Sequence, residues 1–104
     1  MSDEAEFVIL TDKPGIFHTE IGVHMHAVEC WDYVFFGRTK ARFVIAALDC
    51  ETRIEVIDEA PPPTVSRVPS KLLKKYATVA EAKRDLDHLI QPGNPGTALV
   101  RVDI

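Results

Sequence analysis

Apolar and polar residues alternate with a period of two through the first half of the chain, which predicts β-strands. The apolar run Phe7–Leu10 ends at a turn-forming segment, residues 12–15, and Thr52–Asp58 reads as a later strand. Between them, Val23–Asp49 is rich in β-branched and aromatic residues and is broken only at Gly37-Arg38, a pair that suits a two-residue turn. This segment therefore predicts a long β-hairpin.

Beyond the prolines at positions 61–63, the apolar spacing changes to that of an α-helix. Ser70 is placed to cap a short helix that ends at Tyr76, and Thr78 with Glu81 forms a capping box for a second helix. The apolar stripe of the second helix consists of Val79, Ala82, Leu86 and Leu89, with Lys83 and Asp87 paired on its outer side. Residues 92–96 stop this helix, and Ala98–Val102 reads as a final strand.

These elements predict a single α+β domain over residues 1–104. An antiparallel sheet of about five strands is built on the long central β-hairpin, two helices from the C-terminal half lie on one face, and a final strand follows. We expect residues 1–6 to be flexible and residues 59–69 to form a Pro-rich connector without sheet pairing.

The predicted turn determines which side chains share a face of the hairpin. Pairing Phe36 with Thr39 places Cys30 and Asp32 on a mostly apolar face and sets Tyr33 opposite Arg42, within reach of a cation–π contact. The opposite face is aromatic and cationic, with Trp31, Tyr33, Phe35, Lys40 and Arg42. This aromatic face either packs beneath the helices or binds a partner, and the periodicity leaves both alternatives open.

Charge is divided unevenly along the chain. Residues 1–59 carry 12 acidic and 5 basic side chains, whereas residues 60–84 carry 1 and 6, within a net charge of −4. An acidic chain without a groove-reading element is not typical of a nucleic-acid binder. No apolar run has the length of a membrane span, and the acidic start does not resemble a secretory signal. We expect a cytoplasmic protein without nucleic-acid or membrane partners.

Two side chains of the predicted hairpin are candidates for catalysis. A buried Asp32 would need a partner, or a raised pKa that suits general acid–base work; pairing with an arginine is the structural alternative. Cys30 is interpreted as a small core residue. To act as a nucleophile it would need a neighbouring base, and His26 is the nearest candidate. Cys50 falls too far from Cys30 along the predicted strands for a disulfide, so we expect both thiols to be reduced.

The histidines in the first third of the chain suggest a second kind of chemistry. His24 and His26 stand two apart, so in a regular strand both imidazoles project from one face, and His18 lies just upstream. With Cys30 or Asp32 they could supply ligands for zinc or iron. The segment from His24 to Gly37, with Glu29, resembles the first metal motif of the cupin family. Because Glu29 points to the other face of a regular strand, we transfer no cupin function.

Motifs for phosphate loops, nucleophile elbows and zinc helices are absent from the sequence, and no cofactor is predicted. We therefore expect a small cytoplasmic binding or accessory subunit that docks on a larger protein or self-associates through the aromatic and cationic hairpin face. A metal-dependent enzyme or metal-binding protein that uses His24 and His26 is the first alternative. A module that binds a small molecule on the aromatic face is the second.

Overall fold

Seven antiparallel strands and one α-helix form the part of the protein that the structure describes. The computed structural model describes residues 6–89 and 96–103. The strands are β1 Glu6–Asp12, β2 Phe17–Glu20, β3 Met25–Phe35, β4 Arg38–Leu48, β5 Arg53–Asp58, β6 Val65–Pro69 and β7 Thr97–Val102; the helix is α1 Val79–Leu89. Strands β1-β4-β3-β7 form one sheet and β2-β5-β6 a second. The architecture is α+β, but the predicted single sheet of about five strands is wrong.

The two sheets enclose one hydrophobic cluster, and the helix covers the other side of the larger sheet. The cluster between the sheets consists of Val8, Leu10, Met25, Ala46, Leu48 and Ile54, with Val44 and Leu73 packed against it. Side chains alternate across a strand, so Phe43 and Ile45 point away from this cluster. On that far side, Lys83 of α1 lies over Trp31, whose strand position pairs with Phe43. The order of layers is therefore small sheet, large sheet, helix.

Strands β3 and β4 pair in a register that differs from the predicted one by one residue near Arg42. The turn consists of Phe36 and Gly37, with φ of 47° and 78°, rather than Gly37-Arg38. Positive φ at both central residues is the type I′ geometry that matches strand twist. Register shifts occur between Ala27 and Glu29 and between Tyr33 and Val34. The slip places Arg42 opposite Asp32, so the predicted pairing of Tyr33 with Arg42 is wrong.

The first predicted helix is wrong, because its residues are used to hold the two sheets. Only Ser70–Leu72 forms a turn of 3₁₀ helix, without a side-chain cap. The Ser70 hydroxyl instead accepts the Thr52 backbone N–H at 2.9 Å and donates to Glu51. Tyr76 exchanges two backbone hydrogen bonds with Phe7 of β1. Its N–H and carbonyl are therefore not available for the hydrogen bonds of a helix.

The second predicted helix is present as α1. The Thr78 hydroxyl accepts the Glu81 N–H at 3.1 Å, and the Glu81 carboxylate accepts the Ala77 N–H, a close variant of the capping box. Ala82 and Leu86 are fully buried, as the stripe predicts. Leu89 is 66% exposed, so the stripe ends one turn earlier than predicted.

The small sheet was not foreseen because its outer strands are short and carry few buried side chains. Val65–Pro69 pairs with β5, so the expected unpaired connector over residues 59–69 is wrong in its second half. Of the segments predicted to be flexible or to stop the helix, residues 1–5 and 92–95 lie outside the described residues. Within the described part, no helix is long and apolar enough to cross a membrane.

Candidate functional site

The sequence-predicted aromatic face is divided between two sides of the large sheet. Trp31 lies on the helix side, half-buried, with the Lys83 ammonium 4.2 Å from its ring centroid. Its indole N–H donates to Glu29 at 2.9 Å. Arg42 lies on the opposite side, because its register partner is Asp32. Trp31 is therefore partly covered by α1, and Arg42 is not part of the same surface.

Arg42 and Asp32 form a two-pronged ion pair. Arg42 Nε donates to Asp32 Oδ1 at 2.7 Å and Nη2 donates to Oδ2 at 3.1 Å. Only 14% of the Asp32 side chain is exposed, and its hydrogen bonds raise the pKa of Arg42 further above its ordinary value. The carboxylate therefore has the arginine partner that was the structural alternative to acid–base chemistry.

Cys30 is buried, and no described side chain is placed beside it as an activating base. Burial raises the pKa of its thiol, which keeps the sulfur protonated near neutral pH. His26 pairs with Ala47 while Cys30 pairs with Val44, and the bulge at Val28 leaves the two side chains on opposite faces. Cys30 and Cys50 are both free thiols, as expected.

The three upstream histidines occupy separate environments. His24 lies in the loop before β3, His26 is exposed at the start of β3, and His18 lies in β2. His18 contacts Glu59 at 3.0 Å through Nδ1 and Glu20 at 3.5 Å through Nε2. Among residues 6–89 and 96–103, no group of three or more His, Cys, Asp or Glu side chains is arranged to hold a metal ion. The predicted set of His18, His24 and His26 is thus not assembled.

The tip of the β3–β4 hairpin exposes a pair of aromatic rings. Phe35 and Phe36 make an edge-to-face contact, with centroids 4.6 Å apart and planes at 85°. The Phe36 side chain is 70% exposed. Its backbone is in the left-handed region, which is unfavourable for a bulky residue. Lys40 is the extra residue of the adjacent register shift and is also exposed. Sequence reasoning found Phe35 but missed Phe36, whose only signal is the glycine after it.

Strand β7 lies directly beside this tip and forms one edge of the large sheet. The Phe36 N–H donates to the Gly96 carbonyl at 2.8 Å, and a Cβ on Gly96 would lie 2.6 Å from the Phe36 ring. In the described part of the chain, β7 pairs only with β3. One face of β7 presents Ala98, Val100 and Val102, and Val100 is 48% exposed. We name the hairpin tip (Phe35, Phe36) and this strand together the β7 edge surface.

Comparison of the chain with protein-family models, with curated proteins and with solved structures gives no match.

Proposed function

We propose that this protein is a small binding domain whose β7 edge surface pairs with the same surface of a second copy. The observation that supports the proposal is an edge strand with an exposed apolar face beside an exposed aromatic pair. An edge strand offers a row of backbone donors and acceptors to another strand. Apolar side chains next to that row add buried surface when a second strand arrives.

The sequence of β7 favours a second copy as the occupant. A symmetric antiparallel pairing centred on Val100 sets Val100 against Val100 of the second copy and Ala98 against Val102. In that register Arg101 faces Leu99 of the second copy, so the two arginines do not meet. The interface is therefore apolar on one side of the sheet and free of like-charge contacts between strand residues.

The other edges are poorer candidates for the same role. Strand β1 exchanges backbone hydrogen bonds with Tyr76. Strand β6 ends in Pro69, which has no backbone N–H to donate to a further strand. Strand β2 is only 4 residues long. The β7 edge has no proline between Thr97 and Val102, and its one charged residue, Arg101, faces Leu99 of the second copy in the register given above.

The test is the oligomeric state of untagged protein, measured by sedimentation velocity over a wide range of concentration. One strand pair is a small interface, so we expect a reversible dimer with a dissociation constant of about micromolar or weaker. Val100→Lys should raise that constant by at least about tenfold, because lysine on an edge strand opposes pairing.

Val65→Lys is the matched control. Val65 is 55% exposed and begins the edge strand of the small sheet, so its substitution adds the same charge to a different edge. The proposal predicts that Val65→Lys dimerises like the wild type. A wild-type monomer at every concentration, or equal dimerisation of both variants, would overturn it. Circular dichroism establishes that each variant is folded. We do not propose the metal hypothesis, because the described residues assemble no group of three metal-ligating side chains.

A further inference from the structure

A cleft of about 330 Å³ opens beside Arg42, on the side of the large sheet away from the helix. It lies where β1 turns into β2 and where β5 ends. Its walls combine charged, polar and apolar side chains: Asp12, Pro14, Gly15, Phe17, His18, Thr39, Arg42 and Glu59. The volume is at the lower end of the range for small-molecule sites.

Arg42 brings an unused set of donors to this cleft. Its contacts with Asp32 use Nε and one hydrogen of Nη2, and Nη1 has no partner among the described residues. A guanidinium has five N–H donors in a planar fork, so a second edge remains for a carboxylate. The Thr39 hydroxyl, a neighbouring donor in the same wall, has no protein hydrogen bond among these residues either.

Asp12 brings an unused acceptor. Its Oδ1 accepts the Thr19 N–H at 2.7 Å, while Oδ2 has no partner in the described part of the chain. Asp12 and Arg42 are register partners on adjacent strands, where Cβ atoms lie about 4.5–5.5 Å apart. No ion pair joins them, because Arg42 is turned towards Asp32. A carboxylate and a guanidinium therefore stand side by side, each with a free edge.

The rim of the cleft is held in place by Glu59. Its Oε1 accepts the Gly15 N–H at 2.8 Å and its Oε2 contacts His18 Nδ1 at 3.0 Å. The Glu59 N–H in turn donates to the Ile16 carbonyl at 2.9 Å. These three contacts tie the β1–β2 turn to the end of β5, so the site needs little ordering when a ligand enters.

We propose that this cleft binds a free α-amino acid with an apolar side chain. The ligand carboxylate would meet the outer edge of Arg42, and its ammonium group would meet Asp12 Oδ2. Asp32 is held by Arg42 and Glu59 contacts His18, so Asp12 is the carboxylate of this region with an oxygen free to accept the ammonium group. The half-buried ring of Phe17 and the ring of Pro14 provide an apolar wall for the side chain.

The probe is L-phenylalanine, titrated into isotope-labelled wild-type protein and followed in proton–nitrogen correlation spectra. We expect saturable shifts at Gly15, Thr39 and the Arg42 side chain. Phenethylamine lacks the carboxylate and phenylpropionate lacks the ammonium group, so each should bind at least about tenfold more weakly. No shift up to the solubility limit of L-phenylalanine, or binding of either analogue as tightly as L-phenylalanine, would overturn the proposal.

Asp12→Asn tests the ammonium subsite without removing the acceptor for Thr19. It should weaken L-phenylalanine binding by at least about tenfold and leave phenylpropionate binding undiminished. Thr39→Val is the second variant and should weaken binding of the carboxylate. Arg67→Gln, which breaks the exposed pair with Glu55 on the small sheet, is the control and should bind like the wild type. Unchanged affinity in Asp12→Asn contradicts the assignment.

Discussion

The two edge strands of the large sheet, β1 and β7, differ in whether a further described segment pairs with them. At β1, Phe7 and Tyr76 exchange backbone hydrogen bonds of 2.9 and 2.8 Å, and the Tyr76 hydroxyl donates to Asp85 of α1 at 2.6 Å. Burial, followed by the bond to Asp85, raises the pKa of Tyr76 to about 12, so the hydroxyl remains a donor at neutral pH. At β7, no described strand covers the edge, and Val100 is exposed beside it.

The two edges differ in two separate respects: whether the backbone of the edge strand is hydrogen-bonded to a further segment, and whether its apolar side chains are buried. The β1 edge has both, because the segment before α1 pairs with it and the helix packs on the face of β1 that points away from the small sheet. The β7 edge has an apolar row and no described partner strand, the combination that natural sheets avoid unless another strand binds there. The asymmetry is what directs the functional proposal to β7.

The largest expected effect is on the free energy of unfolding, when a buried side chain between α1 and the strands β1 and β4 is shortened. Leu86 is fully buried, so Leu86→Ala should lower the free energy of unfolding by about 3 kcal/mol through lost burial and a residual cavity. Leu89→Ala, at an exposed position of the same helix, should change it by less than about 0.5 kcal/mol. Urea denaturation measures both. Equal losses at the two positions would show that α1 does not cover the sheet as described.

A smaller effect is expected at the hairpin tip beside β7. Phe36→Asn removes a cost of about 1 kcal/mol for holding a bulky residue in the left-handed region. It also removes the edge-to-face contact with Phe35, which contributes a similar amount, so the free energy of unfolding of the monomer should change by less than about 1 kcal/mol. The same variant should weaken the dimer, because an exposed aromatic ring is removed from the β7 edge surface. Phe36→Tyr keeps the ring and is the control. A dimer unaffected by Phe36→Asn would remove the hairpin tip from the proposed interface.

Local patterns predicted most strands and the capped helix, and non-local contacts account for the errors. A turn at Phe36-Gly37 instead of Gly37-Arg38 shifts the pairing of the two strands by two residues, and the bulge at Lys40 takes one of them back. The net shift of one residue moves Arg42 from Tyr33 to Asp32. The backbone hydrogen bonds between Phe7 and Tyr76 join segments that are distant in sequence. The local pattern of residues around Tyr76 therefore does not indicate them.

The candidate sites show the same limit. Sequence reasoning offered an arginine as a partner for Asp32 but set Arg42 opposite Tyr33, and it provided no reason to combine Asp12 with Glu59. His18 and Glu59 are 41 positions apart, and only the pairing of β2 with β5 brings them together. The aromatic tip needed the observed turn, because Phe36 belongs to neither strand.

The smallest expected effect is a pH dependence at the β1–β2 corner, which has no counterpart at β7. The hydrogen bond that Glu59 accepts from the His18 ring is the main cause that raises the pKa of His18 above its ordinary 6.5, and Glu20 acts in the same direction. A raised pKa in the folded state stabilises the protein fully below pH 6.5, and this contribution is lost as pH rises through the folded-state pKa.

Glu59→Gln should therefore lower the His18 pKa, and should destabilise the protein more at about pH 6 than well above the folded-state pKa. Proton NMR of the imidazole gives the pKa, and urea denaturation at the two pH values gives the difference. Glu55→Gln, within β5 and four positions before Glu59, is the control and should leave the His18 titration unchanged. An unaltered His18 pKa in Glu59→Gln would mean that Glu59 does not hold this corner in solution, and that the rim of the cleft is less ordered than its contacts indicate.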